Sequence, residues 1–142
     1  MSTTILTLTD APDAQAQAVI GEGLDRFNEA YTGAGHSQPL AMTITDAPGG
    51  EVIGGLLGHT SLGLLFVDLF FLPDSHRGGG GLGSEILARA EDEARRRGCR
   101  QALIYTIAFQ APGFYQRHGY EVFGVVQSGP ADQARMFMTK PL

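Results

Sequence analysis

Apolar residues in this chain form short, nearly continuous runs, separated by longer stretches in which they recur at helical spacing. Short apolar runs bounded by glycine, proline or aspartate predict β-strands. The run LGLLFVDLFFLP at residues 62–73 has one charged residue, Asp68, and predicts a central strand covered on both faces. Further strands are predicted at residues 3–10, 40–46, 51–60, 101–108, 120–126 and 134–142, the first of them at a sheet edge.

Three segments between these strands predict helices. In residues 14–31 the apolar side chains lie near helical spacing, and Asp13 is placed to cap the first turn. Residues 111–119 predict a short helix that ends at Gly119. The helix predicted at residues 81–98 ends at Gly98 and carries four acids, each four residues before an arginine. Its apolar stripe consists of Leu82, Ile86, Leu87, Ala90 and Ala94.

The predicted order of elements is β-α-β-β-β-α-β-α-β-β. Helices interspersed among strands in this way predict one α/β domain with a mixed sheet, spanning residues 1–142. A chain of 142 residues, 43% of them apolar, is long enough to bury one core and too short for two typical domains.

Charge and composition exclude several classes of function. The net charge is −5, and residues 1–50 hold six acids but one arginine, so we expect no nucleic-acid partner. No apolar run is long enough to span a bilayer, and no segment resembles a signal peptide, so we expect no membrane partner. Cys99 is the only cysteine, which excludes an internal disulfide and fits a cytoplasmic location. The four histidines show no metal-ligand spacing, so we expect no metal.

The glycine-rich segment RGGGGLG at residues 77–83 follows the central strand and opens the second helix. Its glycines satisfy the dinucleotide fingerprint GxGxxG, but the acid expected about 20 residues later at a strand end is missing. A P-loop needs lysine and then serine or threonine after its last glycine, which Leu82-Gly83-Ser84 does not supply. A flexible turn is a third interpretation. We favour the fourth, a cradle in which bare backbone N–H groups, the helix N-terminus and Arg77 bind the phosphates of a cofactor.

The residues around these glycines resemble one protein family. The segments VDLFFLPDSHRGGGGLGSEILARAEDEARRRGC and FYQRHGYEVFG are similar to those of the GNAT acetyl-CoA-dependent N-acetyltransferases. DLFFLPDSHRG and GLGSEIL are particularly similar to the spermidine/spermine acetyltransferases. The resemblance, clearest over residues 64–124, implies a GNAT-like fold with a mixed, mostly antiparallel sheet of six to seven strands flanked by helices. It also implies direct transfer of an acetyl group from acetyl-CoA to a primary amine of a small molecule or peptide. The enzyme would be of bacterial type, and a homodimer is possible.

The resemblance assigns roles to individual residues. In that family the loop binds the pyrophosphate of acetyl-CoA, the end of the preceding strand pairs with the pantetheine arm, and a tyrosine protonates the departing thiolate. The corresponding cofactor-binding residues here are Phe70, Phe71, Leu72, Arg77, Gly78, Gly79, Gly80, Gly81, Leu82, Gly83, Ser84 and Tyr115, of which Tyr115 is also the catalytic acid.

Asp68 occupies the position of a glutamate in the polyamine enzymes and is the candidate catalytic base. In an apolar strand an unpaired acid should be buried and therefore more basic than usual. The alternatives are a substrate-binding anion or a buried hydrogen-bond acceptor.

Two departures from the family's pattern bear on function. Arg77 lies one residue farther upstream than expected, so the loop carries an extra glycine that should bulge between Arg77 and Gly81. Ala108 stands where an asparagine commonly contacts the cofactor. These departures leave a second function open, a catalytically weak acyl-CoA-binding or sensor domain.

Overall fold

The computed structural model describes residues 3–33, 37–78 and 80–142, which contain three α-helices and six β-strands. Short 3-10 turns lie at Asp74–His76 and Ala131–Gln133. The helices and strands, in chain order, are α1 (Ala14–Thr32), β1 (Gln38–Thr45), β2 (Val52–Ser61), β3 (Leu64–Phe71), α2 (Leu82–Arg96), β4 (Gln101–Ile107), α3 (Pro112–Arg117), β5 (Glu121–Val126) and β6 (Arg135–Pro141).

The chain divides into two compact units, Met1–His36 and Ser37–Leu142. In the first unit, helix α1 begins as predicted, because the Asp13 carboxylate accepts a 2.7 Å hydrogen bond from the Ala16 backbone N–H. It ends at Gly33, whose φ of 76° is the left-handed conformation that glycine adopts readily. The edge strand predicted at residues 3–10 is wrong, since no strand forms there. Alternating β-branched residues favour a strand, but a strand forms only where a neighbour supplies its backbone hydrogen bonds.

The second unit contains a six-stranded sheet with the order β1-β2-β3-β4-β6-β5. Strands β3 and β4 run parallel, and the other neighbouring pairs in the described part of the sheet run antiparallel. The predicted mixed, mostly antiparallel sheet is thereby confirmed, with six strands.

Helix α2 supplies one layer of the core. Four residues of its predicted stripe, Ile86, Leu87, Ala90 and Ala94, are buried, while Leu82 is partly buried at the edge. These five residues belong to one apolar cluster with residues of the sheet. A stripe of this width covers one face of the helix, so that whole face packs on the sheet. The largest fully buried aliphatic side chains from the sheet are Leu56, Leu65 and Met138.

Glu91 departs from the ion pairs predicted along α2. The sequence predicts a pair with Arg95, but Glu91 is buried and accepts hydrogen bonds from the Tyr120 hydroxyl (2.8 Å) and the Lys140 ammonium (2.9 Å). Its position next to Ala90 places it on the inward side of the helix. The carboxylate therefore joins α2 to strand β6 and to the residue preceding β5.

The other acids of α2 remain at the surface. Glu85 pairs with Arg89 as predicted, whereas Asp92 pairs with the residue three positions on, Arg95. Glu93 accepts hydrogen bonds from both Arg96 and Arg97. These two side-chain hydrogen bonds lower the pKa of Glu93 to about 2.

Candidate active site

The two parallel strands at the centre of the sheet separate at their C-terminal ends. Strand β3 pairs with β4 from Leu64 to Val67, where Val67 lies opposite Ile104. Beyond that point β3 continues to Phe71 and β4 to Ile107 without pairing to each other. The prediction that β3 is covered on both faces is therefore wrong for its second half, where Leu69 is 64% exposed. A gap opens between the strands, and we call it the strand gap.

A β-bulge in β3 lies beside the strand gap. Leu57 of β2 pairs with Leu69, and the next residue, Gly58, pairs with Val67, so Asp68 has no partner on β2. Gly58 is required here because a Cβ atom would lie 2.2 Å from the Phe66 carbonyl oxygen. A bulge interrupts the alternation of side chains between the two faces of a sheet and so redirects one of them. Bulges are common next to active sites for this reason.

Two cavities meet at the strand gap. The larger, of about 790 Å³, extends along the end of β3, the glycine segment and the starts of α2 and α3. The smaller, of about 230 Å³, is lined by Asp68, Leu69, Tyr105 and Arg135, among others. Four residues line both cavities: Phe70, Thr106, Gln110 and Tyr115.

Most of the proposed cofactor-binding residues line the larger cavity. Gly79 lies outside the described residues, and Gly80 does not line the cavity. Those that line it are Phe70, Phe71, Leu72, Arg77, Gly78, Gly81, Leu82, Gly83, Ser84 and Tyr115.

The start of α2 offers a site for an anion. Gly81 is the N-cap with a φ of 73° and no side chain to cap the helix, and the first helical hydrogen bond runs from Glu85 N–H to the Gly81 carbonyl. The N–H groups of the intervening residues, 82–84, precede that bond and have no acceptor within the helix. A Cβ atom on Gly81 would meet nothing within 4 Å. Bare N–H groups, the positive end of the helix dipole and open space together fit a pyrophosphate.

Arg77 lies between the strand end and this helix. Its Nε donates a 2.7 Å hydrogen bond to the Leu72 carbonyl, and its guanidinium lies 5.7 Å from the centre of the Phe71 ring. Its Nη1 forms an exposed ion pair with Asp74 at 3.4 Å. The arginine is anchored through Nε, pairs with Asp74 through Nη1, and lines the larger cavity.

Tyr115 is a buried residue of the proposed site. It is 7% exposed and lies against the rings of Phe70, Phe114 and Tyr120. Its hydroxyl makes no hydrogen bond to another described residue. Burial raises the pKa of Tyr115 to about 12, so the hydroxyl stays protonated throughout the neutral range.

Asp68 is more exposed than the sequence predicts, and it is paired. Its side chain is 50% exposed, and Oδ2 lies 2.8 Å from Nδ1 of His59 on β2. The His59 ring in turn stacks on Phe66, with ring centres 4.5 Å apart and planes within 7°. The expectation of a buried, unpaired acid is therefore wrong, because the bulge brings Asp68 to the surface beside His59. Sequence reasoning missed His59, since the contact depends on the register of β2 against a bulged strand.

Gln110 is a further residue that sequence reasoning missed. It follows β4, lines both cavities, and its Oε1 accepts hydrogen bonds of 3.1 Å from Thr106 Oγ1 and from the Ile107 backbone N–H. Nothing in its sequence context, FQAP, distinguishes it from an ordinary loop glutamine.

Ser84 connects the first turn of α2 to the end of α3. Its Oγ lies 2.9 Å from Nε2 of His118, whose ring packs on Phe114. The contact holds the helix that carries Tyr115 against the start of the helix that offers the anion site.

Among residues 3–33, 37–78 and 80–142, no group of three His, Cys, Asp or Glu residues is placed to hold a metal ion. In the same ranges, every helix is too short or too polar to cross a membrane.

Comparison with known proteins identifies the family. Residues 42–122 match the family model described as "Acetyltransferase (GNAT) domain". The chain is 40% identical over 117 residues to an acetyltransferase of Agrobacterium fabrum, covering 82% of this chain and 84% of that protein. It is 41% identical over 109 residues to the blasticidin-S acetyltransferase of Streptomyces morookaense, covering 75% of this chain and 79% of that protein.

A solved structure shows the same fold. A candidate acetyltransferase from Agrobacterium tumefaciens superposes with a TM-score of 0.82 at 35% identity, over 98% of this chain and 100% of that one. The GNAT-like fold predicted from the sequence is thereby confirmed. The family match over residues 42–122, together with these identities, shows that the chain belongs to the GNAT family of acetyltransferases and is an acyltransferase enzyme.

Proposed function

We propose that the protein is an N-acetyltransferase that moves the acetyl group of acetyl-CoA directly to a primary amine of a small molecule or peptide. The observation that carries this proposal is the strand gap. The larger cavity reaches the start of α2, the smaller one is lined by the Asp68 carboxylate, and Tyr115 lines both. A donor in the large cavity and an acceptor in the small one would react beside that hydroxyl.

The residues of the larger cavity fit acetyl-CoA. The pyrophosphate would be held by the N–H groups at the start of α2 and by the guanidinium of Arg77, which would exchange its exposed pair with Asp74 for the phosphate. The pantetheine arm would pair with the backbone of β3 at Phe70 and Phe71, which has no strand partner on the side of the gap. Gly83 serves this arrangement by packing, because a Cβ atom there would lie 3.2 Å from Leu72 Cδ1.

Acetyl-CoA supplies an acetyl group activated as a thioester. Transfer to an amine forms a C–N bond and breaks a C–S bond, so one proton must leave the amine and one must reach the sulfur. Tyr115 would donate the second proton, because its hydroxyl is protonated at neutral pH and the residue lines both cavities.

Asp68 would accept the proton from the amine. The carboxylate lines the small cavity and contacts His59, which would provide a second group through which the proton can pass to solvent. An Asp68→Asn variant keeps the shape of the side chain but removes the base. The variant should retain acetyl-CoA binding and lose the acidic limb of the pH–rate profile. An unaltered limb would show that water or another group, and not Asp68, accepts the proton of the amine.

The acceptor would carry its primary amine on a small molecule or a peptide. One relative carries the name of blasticidin-S, so the panel of acceptors should include antibiotics with amino groups as well as polyamines, aminoglycosides and peptides.

Two measurements test the proposal. A ligand that binds only the folded state raises its stability by about 2.7 kcal/mol at a hundredfold excess over Kd, so acetyl-CoA should raise Tm whereas NADH should not. Release of free CoA should then depend on one class of amine in the panel. Binding of acetyl-CoA without release by any amine would instead favour the acyl-CoA sensor, and no binding would refute the proposal.

A further inference from the structure

The side chain of Gln110 lies in the strand gap, next to the end of β4. The Ala108 N–H donates to the Ala134 carbonyl, on the side of β4 where β6 lies. Successive N–H groups of an extended strand point to opposite edges, so the Ile107 N–H points toward β3. Gln110 Oε1 accepts from that N–H, which places the glutamine amide in the gap between the two strands.

The orientation of the amide follows from its partners. A backbone N–H is always a donor, so the atom of Gln110 that faces Ile107 must be the oxygen. The Thr106 hydroxyl donates to the same oxygen. The amide nitrogen, with two N–H donors, therefore points away from β4, and it makes no hydrogen bond to another described residue.

These two donors lie where the reacting groups would meet. Gln110 and Tyr115 both line the larger and the smaller cavity, and Asp68 lines the smaller one. An acyl group placed for attack from the small cavity, with its sulfur near Tyr115, would present its carbonyl oxygen within the strand gap. At a nearby position the family commonly has an asparagine that contacts the cofactor. This chain has Ala108 there, which has no side-chain donor.

We propose that the side-chain amide of Gln110 donates a hydrogen bond to the carbonyl oxygen of the bound acyl thioester, and stabilises the negative charge that builds on that oxygen as the amine attacks. This role rests on the proposed function. Thr106 and Ile107 are the positioning groups, because they hold Oε1 and thereby aim the nitrogen. A donor fixed in advance costs no reorganisation during the reaction.

The Gln110→Glu variant tests the proposal, because glutamate keeps an oxygen for Thr106 and Ile107 but has no N–H donor when ionised. Gln116→Glu is the matched control, since it adds the same charge on the exposed side of α3 and lines neither cavity. Loss of one such donor typically lowers kcat roughly 10²–10³-fold. We expect that loss for Gln110→Glu with Tm within a few degrees of the wild type, and no loss for Gln116→Glu.

A binding measurement separates this proposal from the proposed function. Calorimetry with CoA, which has no acyl carbonyl, and with acetyl-CoA needs no acceptor amine. Gln110→Glu should bind CoA as the wild type does and should bind acetyl-CoA more weakly relative to CoA.

The role of Gln110 is overturned if kcat and the ratio of the two affinities both stay at wild-type values. It is also overturned if Tm and both affinities fall together. That result would show that Gln110 only stabilises the end of β4 through its bonds to Thr106 and Ile107. A wild-type protein that binds neither ligand would instead refute the proposed function.

Discussion

Replacing Glu91 by alanine should destabilise the protein more than any other single change among the acids of α2. The carboxylate is 6% exposed and is held by the Tyr120 hydroxyl at 2.8 Å and the Lys140 ammonium at 2.9 Å. Burial, with Glu91 beside it, raises the pKa of Tyr120, so that hydroxyl stays a donor and needs an acceptor. Glu91→Ala removes the acceptor from one buried donor and the partner from one largely buried cation.

The size of the effect follows from burial. Removing one partner of a buried ion pair costs about 3–5 kcal/mol. The Lys140 side chain is 20% exposed and can reach water, which places the expected loss at about 3 kcal/mol, near the lower end. For a chain of this length that loss lowers Tm by roughly 10 °C. Glu91→Gln should cost less, because the amide oxygen still accepts from Tyr120.

The assay is chemical denaturation followed by circular dichroism, with Glu85→Ala as the control. Glu85 makes an exposed ion pair with Arg89 on the same helix at 3.6 Å, and such pairs contribute about 0.5 kcal/mol or less. A loss below about 1 kcal/mol for Glu91→Ala, or equal losses for the two variants, would refute the reasoning. Lys140→Met in the Glu91→Ala background should recover part of the loss by removing the unpaired ammonium.

Three further predictions concern the site and the pH dependence of stability. Tyr115→Phe should keep acetyl-CoA affinity and lower kcat roughly 10²–10⁴-fold at any pH from 6 to 9, and an unchanged kcat with chemistry rate-limiting would remove the hydroxyl from the mechanism. Gly81→Val and its control Gly63→Val both place a branched residue at positive φ, so both should lower Tm. Only Gly81→Val should abolish acetyl-CoA binding in calorimetry, and equal binding by the two variants would argue against the anion site. Because its arginine hydrogen bonds lower the pKa of Glu93 from 4.5 to about 2, its contribution to stability is present above pH 4.5 and is lost as the pH falls toward 2. Glu93→Gln should therefore flatten the fall of Tm in that pH range, and a parallel fall would show that the carboxylate contributes nothing.

Local signals in the sequence were sufficient for much of the fold. The Asp13 cap of α1, the apolar stripe of α2 and the strands of the second unit depend on neighbouring residues, and the structure has them close to the predicted bounds. The segment at residues 3–10 shows the limit of such signals. Its alternating pattern favours a strand, but no local signal tells whether another strand is there to pair with it.

The family could be identified from the sequence because its signature is contiguous. The end of β3, the glycine segment and the start of α2 follow one another along the chain, as do Tyr115 and Gly119. An anion site built from consecutive N–H groups depends on local backbone conformation, so its residues are neighbours in sequence as well as in space.

Contacts between distant residues were decided by the tertiary structure. Glu91 looked like a surface acid because its charge pattern fits an exposed helix face, yet its partners come from β6 and from the residue before β5. Asp68 meets His59 because β3 is bulged against β2, and Gln110 enters the strand gap because β3 and β4 separate after Val67. The sequence alone determined the helices, most of the strands and the family. Register, bulge and strand separation arise when strands pair across the sheet, so only the folded chain determines which side chains meet at the candidate active site.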